Sequence, residues 1–441
     1  MKLFIIFVIL IFFQHCSFDN KTGIWKNEKI FSKKENDLFK DLETLNTKND
    51  SFNKIIPVKN NFKFTIPKPK NNYEWKDIYY DKTNNLQNLI YNESNKLVFK
   101  SKKLSKKIVY NYILSEKNNI ITTDLNGNII VYSLNKKIII AKYNFYKKNY
   151  KKINKFLNIT VENNIIFVAD NIGYLYSFDY KKNKILWAKK RNVGFRSNVK
   201  IFNDKLITSD ENNNLLFFSK KNGEVLKLIP TEETIVKNQF INNIAMNNNI
   251  LLFLNTYGSL YAINSENMKI LWFINLNQSL DLNPSNLFNS NQIVTSKDKI
   301  FLSTNKSTYI LDLLSGRVIY KKNYSSEFKP IILKDHLFSF TKNNLLIAMN
   351  IDNGKIIYSH DINQKIADFI EVKKKKVQLK NFLIVNNKIM LFLKNSYLIY
   401  FNINGNVNDV LKLPSKINTN PIIINKSLMY LDFKNKLSII N

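Results

Sequence analysis

A unit of about 44 residues recurs along the chain, and this repeat constrains the fold more than any other feature. Residues 258–264 (Gly-Ser-Leu-Tyr-Ala-Ile-Asn) are followed by Trp272, and residues 173–179 (Gly-Tyr-Leu-Tyr-Ser-Phe-Asp) are followed at the same distance by Trp187. Sliding this frame along the sequence finds eight copies, with turn residues at Gly127, Gly173, Asn213, Gly258, Lys306, Asn344, Ser396 and Asn435. Repeats of this length are typical of propellers and solenoids.

Each copy contains short apolar strands and no helical period. The fifth residue after the turn is apolar every time: Tyr132, Phe178, Phe218, Ile263, Leu311, Met349, Phe401 and Ile440. Another apolar strand precedes the turn, as in 165–170, so the two strands form a hairpin. Several short strands per repeat predict an all-β fold, an eight-bladed β-propeller of four-stranded antiparallel blades over residues 73–441.

The eighth copy stops at Asn441, before the strand that carries Trp187 or Trp272 in its siblings. A ring must close without leaving that edge unpaired. The nearest donor is the apolar stretch near Lys96–Ser101, so we expect an N-terminal strand to complete the last blade.

The N-terminus predicts export. Met1-Lys2 is followed by an apolar run from Leu3 to Phe13 and then by Cys16, the chain's single cysteine. The run is about half of the roughly 20 residues that a spanning helix needs, and it suits a secretory signal over residues 1–16. Cys16 resembles the lipid-attachment cysteine of bacterial lipoproteins, with a plain cleaved signal or an uncleaved anchor as alternatives. Residues 17–72 are polar and aperiodic, and we interpret them as a flexible tether.

The net charge of +33 arises from 67 Lys+Arg against 34 Asp+Glu, yet three of the basic residues are arginine. Nucleic-acid readers normally use clustered arginine forks, whereas these lysines are spread over every segment. We therefore expect no nucleic-acid partner, although attraction to anionic lipid follows from the same charge. The lysine run in Glu371–Val377 is interpreted as an exposed loop, with contact to a membrane or an acidic partner as the alternative.

The repeat in its fullest form reads Gly-x-Leu-x-Ala-Ile-Asp-x-x-x-Gly-Lys-x-Leu-Trp, and 350–358 and 312–320 are close versions. This resembles the PQQ-like propeller repeat. Together with the lipoprotein-like start and the eight blades, the chain resembles the BamB family of outer-membrane assembly lipoproteins. The resemblance implies a non-enzymatic scaffold, anchored on the periplasmic face of the outer membrane as one copy within a hetero-complex, that binds the barrel insertase BamA and other assembly subunits.

The resemblance also implies where the partner binds. In that family an arginine preceded by apolar residues in an early interblade loop grips the insertase, and Val193, Phe195 and Arg196 match that pattern. The family's second contact loop carries acidic residues. The corresponding stretch here, 236–243, has none, and Asn238 and Phe240 stand in their place.

Other functions remain as alternatives. A quinone-dependent dehydrogenase needs a carboxylate base, a Ca²⁺ site and usually an adjacent-cysteine disulfide, which a chain with one cysteine lacks. The three histidines are isolated, so no metal site and no catalytic residue is predicted. We expect no cofactor and no enzyme activity. A ligand-binding or envelope-sensing propeller would use the central channel for its ligand.

Overall fold

The computed structural model describes residues 52–60, 62–146, 149–233, 240–277 and 288–441, with backbone alone at 110–111, and the backbone of two short strands near the N-terminus. The chain divides into two units, Met1–Asp50 and Ser51–Asn441. In the first unit, β1 (Cys16–Phe18) pairs antiparallel with β2 (Trp25–Asn27), so that Cys16 lies opposite Asn27.

The second unit is a ring of eight antiparallel sheets. Its strands follow one another in chain order: β3 (Asn88–Leu89) and β4 (Leu97–Lys103); blade 1, β5 (Val109–Glu116), β6 (Asn119–Asp124), β7 (Asn128–Ser133) and β8 (Ile138–Asn144); blade 2, β9 (Leu157–Glu162), β10 (Ile165–Asp170), β11 (Tyr174–Asp179) and β12 (Lys184–Lys190); blade 3, β13 (Lys200–Phe202), β14 (Lys205–Ser209), β15 (Leu215–Ser219) and β16 (Val225–Ile229); and blade 4, β17 (Asn243–Asn247), β18 (Ile250–Leu254), β19 (Ser259–Asn264) and β20 (Lys269–Asn275).

The remaining blades have the same strand order. They comprise blade 5, β21 (Val294–Ser296), β22 (Lys299–Ser303), β23 (Thr308–Asp312) and β24 (Val318–Lys322); blade 6, β25 (Ile331–Leu333), β26 (His336–Phe340), β27 (Leu345–Asn350) and β28 (Ile356–Asp361); the helix α1 (Ile362–Phe369); blade 7, β29 (Leu379–Val385), β30 (Lys388–Leu393), β31 (Tyr397–Asn402) and β32 (Val407–Lys412); and blade 8, β33 (Ile422–Ile424), β34 (Ser427–Leu431) and β35 (Lys436–Ile440), completed by β4. The prediction of eight four-stranded blades is confirmed. No helix in the described part of the chain is long and apolar enough to cross a bilayer.

The ring closes as the truncated eighth repeat predicts. Strand β4 pairs antiparallel with β35, with Phe99 opposite Ile439. The backbone N–H of Leu437 also donates to the Ser101 hydroxyl at 2.9 Å. Blade 8 therefore contains both ends of the propeller, and no edge is left open where the ring meets.

The turn residues of the repeat have a conformational reason. Seven of the eight predicted turn positions have a left-handed backbone, Lys306 being the exception. At Gly258, where φ is +98°, a Cβ atom would lie 2.8 Å from the Phe288 ring. Glycine and asparagine adopt this region at least cost, which explains why they dominate the column.

Aromatic residues of the outer strands bind one blade to the next, and we call this contact the latch. Trp187 Nε1 donates to the Lys220 carbonyl at 3.1 Å, and Trp272 Nε1 donates to the Leu313 carbonyl at 3.1 Å. Gly316 lies directly against the Trp272 ring, where no Cβ would fit. The Gly-Lys-x-Leu-Trp motif is therefore an interblade contact, in which the glycine turn of one blade accommodates the aromatic ring of the preceding blade.

Residues 52–72 differ from the flexible tether predicted for residues 17–72. The Phe52 N–H donates to the Asn323 carbonyl at 2.7 Å, and Ile56 forms an antiparallel bridge with Ser359. The Phe64 ring packs edge-on to His336, with their centroids 5.0 Å apart. Because the segment pairs at isolated points instead of along a strand, its sequence has no period that reveals the contact.

Gly316→Ala is expected to lower the free energy of unfolding by about 2 kcal/mol, because the new Cβ would lie 2.5 Å from Trp272 at a φ of +71°. Urea unfolding measures the change. Leu314→Ala in the same turn is the control, since that side chain is 72 % exposed. In a Trp272→Ala background the Gly316→Ala cost should shrink, and an unchanged cost would contradict the latch.

Candidate functional site: the interblade face and the central channel

The two faces of the ring are chemically distinct. The loops that join one blade to the next emerge beside the turns between each blade's second and third strands, and we call this side the interblade face. The turns between first and second strands, and between third and fourth, lie on the opposite side, the hairpin face. Loops that a rigid scaffold positions in this way are the usual location of binding residues.

The structure brings the two predicted contact loops together on the interblade face. The first joins blades 2 and 3, and the second joins blades 3 and 4. The Asn242 N–H donates to the Arg196 carbonyl at 3.1 Å, and Ser197 forms a parallel bridge with Asn242. The Asn242 side chain donates to the Ser209 hydroxyl at 2.7 Å, which fixes both loops to blade 3.

The predicted contact residues lie at different depths in these loops. Phe195 is 1 % exposed and packs against Phe218, and Phe240 is 5 % exposed and packs against Phe288. Both rings belong to the core, so neither offers a surface for a partner to contact. Val193 and Arg196 are half-buried, and Asn238 lies outside the described residues.

The two arginines of the loop between blades 2 and 3 have acidic neighbours. Burial lowers the pKa of Arg196, while Glu211 opposes that shift. Arg191 Nη2 lies 3.9 Å from the buried Asp210 carboxylate. The loop between blades 2 and 3 therefore presents guanidinium groups beside acidic neighbours, an arrangement suited to exchanging ion pairs with a partner.

Sequence reasoning missed Glu232, which lies in the second contact loop a few residues before the stretch 236–243. Its carboxylate accepts from the Ser259 hydroxyl at 2.9 Å and from the Tyr261 hydroxyl at 2.8 Å. Burial alone would raise the pKa of Glu232, but hydrogen bonds from its own amide and from Tyr261, Ser259 and Asn255 outweigh it and lower the pKa. The signal was the Glu232-Glu233 pair, which begins three residues after the end of strand β16.

The central channel is closed on the hairpin face by residues 72–91, which we call the plug. It reaches the inner strand of every blade through these contacts: Trp75 with Ser115, the Lys76 carbonyl with Val161, Asp77 with Lys200, the Lys82 carbonyl with Met246, the Thr83 carbonyl with Thr295, Asn85 with Ile332, β3 with β29 in parallel pairing, and the Asn72 carbonyl with Asn425. A ligand on the ring axis would have to displace this segment or lie behind it.

Two lysines anchor the plug from the channel wall. Lys200, whose side chain is 1 % exposed, donates to the Asp77 carboxylate at 2.8 Å and to Asn84 Oδ1 at 2.6 Å. Lys329 donates to the carbonyls of Tyr79 and Asn84. Burial lowers the pKa of Lys329 to about 7, so its charge depends on pH in the neutral range.

A cavity of about 190 Å³ remains between the plug and the interblade face. Its walls include Trp75, Tyr79, Phe328, Lys329 and Lys380. This volume is below the range of roughly 300–1,000 Å³ that is typical of cofactor and drug-sized sites. Within the described ranges, no group of three or more His, Cys, Asp or Glu side chains could hold a metal ion.

Comparison with known proteins agrees with this architecture. The family model described as outer membrane protein assembly factor BamB matches residues 151–360, which span blades 2 to 6. The uncharacterized protein RP232 of Rickettsia prowazekii (strain Madrid E) is 25 % identical over 264 residues, or 56 % of this chain. The match spans about three fifths of that relative, 61 % of its length.

Solved structures with the same fold include BamB and a quinohemoprotein alcohol dehydrogenase. BamB from Moraxella catarrhalis superposes with a TM-score of 0.63 at 14 % identity, covering 78 % of this chain and 99 % of that one. Quinohemoprotein alcohol dehydrogenase from Comamonas testosteroni superposes with a TM-score of 0.60 at 9 % identity, covering 83 % and 80 %. At these identities the likeness extends to the fold alone.

Asn84→Ala is expected to lower the free energy of unfolding by about 3 kcal/mol, since it removes the partners of the Ile244 and Ile293 carbonyls and of the Lys200 ammonium. Urea unfolding measures the loss. Asn135→Ala, at an exposed position, is the matched control. Equal effects of the two substitutions would contradict an anchoring role for Asn84.

Lys329→Met tests the charge in the channel wall. Between pH about 7 and 10.5 the unfolded chain holds a proton on Lys329 that the folded chain has released. The group therefore makes the parent's free energy of unfolding rise with pH across this window. The variant lacks that rise, so its stability relative to the parent should be greatest below pH about 7. Urea unfolding across the window should show the smaller slope for Lys329→Met, and not for Lys342→Met at an exposed site.

Proposed function

Because this chain is a PQQ-like β-propeller, we propose that it acts as a non-enzymatic scaffold subunit of outer-membrane β-barrel assembly, binding the periplasmic part of a BamA-like barrel insertase. The observation that carries the proposal is the plug, which occupies the mouth of the channel and contacts every blade. Because the plug closes the channel at the hairpin face, we assign partner binding to the loops of the interblade face.

The similarity to BamB supports the same function. The matched residues 151–360 contain both predicted contact loops, and those loops are hydrogen-bonded to each other. We propose that Arg196 and Val193 contact the partner through their exposed atoms, while Phe195 and Phe240 hold the loops in shape from the core. Glu232 and Glu233 would supply the acidic part of the interface in place of the stretch 236–243.

A quinone-dependent dehydrogenase, which the fold also accommodates, is not favoured by the residues on the channel axis. Among the described residues, the cavity there contains a single carboxylate, which cannot serve both as the catalytic base and as an acidic ligand of Ca²⁺. Its charged and amide side chains are Glu327, the amides Asn291, Gln292, Asn381 and Asn420, and the amines Lys329 and Lys380. The single cysteine excludes an adjacent-cysteine disulfide. With one carboxylate in the cavity lining and one cysteine in the chain, we propose that the protein performs no bond chemistry.

We also propose that the protein acts on the periplasmic face of the outer membrane, attached through a lipid on Cys16. The apolar run before that cysteine and the similarity to BamB support this location. Mass spectrometry of the purified mature chain tests it directly. A diacylglyceryl group on Cys16 is expected, and an unmodified cysteine at that position would contradict the anchor.

Affinity capture of the tagged full chain from gently solubilised envelopes is expected to recover a barrel insertase, identified by mass spectrometry. Arg196→Glu should weaken its recovery about tenfold or more, because a charge-assisted contact is replaced by repulsion. Arg317→Glu makes the same charge change in an exposed turn of the hairpin face and is the matched control.

The possible outcomes test the scaffold function and the contact at Arg196 separately. Absence of every barrel-assembly component from the parent sample would overturn the scaffold. Equal recovery by Arg196→Glu and Arg317→Glu would preserve the scaffold and overturn the contact at Arg196. The unfolding midpoints of both variants are measured as well, so that loss of fold is distinguished from loss of the contact.

A further inference from the structure

Part of the interblade face combines exposed apolar side chains with lysines. From blade 6 through blades 7, 8 and 1 to blade 2, the loop tips expose Ile370 (43 %), Val372 (53 %), Phe433 (63 %), Ile108 (65 %) and Ile153 (48 %). These five side chains lie in three interblade loops and in the turn between β34 and β35, all on the same side of the ring.

Lysines flank each of these tips. Exposed amines follow or precede the apolar residues at Lys373–Lys376, Lys434, Lys106–Lys107 and Lys151–Lys152. The described acidic side chains of these loops that are not buried are Asp361, Asp368 and Glu371, and all three belong to the loop that follows blade 6. Lys374 pairs with Asp361 at 2.6 Å, which leaves most of the positive charge unbalanced.

Hydrogen bonds join these loops into one surface. The contacts run along the ring in order: Asn344 Nδ2 to the Val377 carbonyl, the Lys394 N–H to the Gln378 carbonyl, the Leu413 N–H to the Ser396 carbonyl, the Phe433 N–H to the Lys416 carbonyl, Asn435 Nδ2 to the Lys107 carbonyl, the Leu125 N–H to the Ile108 carbonyl, and the Lys155 N–H to the Leu125 carbonyl. We call this surface the basic arc. Its loop tips lie side by side, because each loop is fixed to the turn of the neighbouring blade.

The rest of the interblade face has a different composition. Between blades 2 and 6 it carries the acidic residues Glu211, Glu232, Glu233 and Glu327, none of which is buried. One side of the face is therefore mixed in charge, and the other is basic with apolar tips. An acidic partner protein would be attracted by the lysines, but the isolated apolar tips between them fit the boundary between lipid headgroups and acyl chains better.

We propose that the basic arc docks on a bilayer that contains anionic phospholipids. Its lysines would meet the headgroup charge, and Ile370, Val372 and Phe433 would insert at the acyl boundary. This contact is independent of the insertase and of any lipid on Cys16, so its test can fail while the scaffold proposal holds. Cys16→Ser in the full chain removes acylation from the measurement.

Flotation with vesicles tests the arc. The Cys16→Ser chain is expected to float with vesicles of phosphatidylcholine and phosphatidylglycerol in equal parts, and to bind weakly to phosphatidylcholine alone. Lys373→Glu, Lys375→Glu and Lys376→Glu combined should weaken binding roughly a hundredfold, at about fivefold or more for each lysine. These positions leave the Lys374–Asp361 pair in place.

The matched control is Lys136→Glu, Lys181→Glu and Lys182→Glu combined, which makes the same charge change at exposed sites on the hairpin face. Strong binding by this control supports the arc. Equal weakening of both triple variants would overturn it, because binding would then follow net charge. No flotation of the parent with anionic vesicles would also overturn it and would favour an acidic protein as the occupant.

A second measurement locates the contact. Cys16 is the only cysteine, so single cysteines in the Cys16→Ser chain accept one polarity-sensitive fluorophore each. On addition of anionic vesicles, label at Ile370→Cys, Phe433→Cys and Ile153→Cys should shift to shorter wavelength. Label at Leu314→Cys, exposed on the hairpin face, should not shift. A shift at Leu314→Cys, or no shift at the arc positions, would contradict the proposed orientation.

Discussion

The inner edges of the blades are the constraint on which this structure depends. In each blade the first strand lines the channel, and its outer neighbour can satisfy one edge only, so eight rows of backbone groups face the ring axis. The plug provides hydrogen-bond partners for these backbone groups with few residues. The Thr83 carbonyl accepts from Thr295, and the Asn85 side chain donates to and accepts from Ile332. Asn84, fully buried, bonds blades 4 and 5 and holds the Lys200 ammonium.

The repeat predicted the fold because its positions have local physical causes. A left-handed turn selects Gly or Asn, the middle strands of each blade are buried on both sides, and the outer-strand aromatic packs on the next blade's glycine. Each cause acts within one or two repeats, so each leaves a period in the sequence. Strand β4 was predictable for a related reason, since the truncated last repeat showed which strand was missing.

The plug and the contacts of residues 52–72 could not be predicted in this way. Their residues contact different blades at single points, as Trp75 contacts Ser115 and Asn72 contacts Asn425, and such contacts have no period. The contact site was predicted only in part, because a motif match identifies positions in the sequence but not how deeply each side chain is buried. It therefore grouped the buried Phe195 and Phe240 with the half-buried Arg196. Glu232 was missed because the family pattern was matched to residues 236–243, in the later part of the loop, and Glu232 lies nearer to strand β16.

The same residue type acts in two ways in this molecule, and burial decides which. Lys200 and Lys329 are enclosed with carbonyl and carboxylate oxygens and hold the plug, and burial lowers the pKa of Lys329 to about 7. The lysines of the basic arc are exposed at the surface. Net charge alone cannot distinguish these cases. Because the basic arc and the acidic side occupy different parts of one face, the proposed contact with a bilayer and the proposed contact with a protein partner would use different residues. In a propeller docked through both, the bilayer contact would set the tilt of the ring relative to the membrane plane, and the partner contact would set its rotation about the membrane normal.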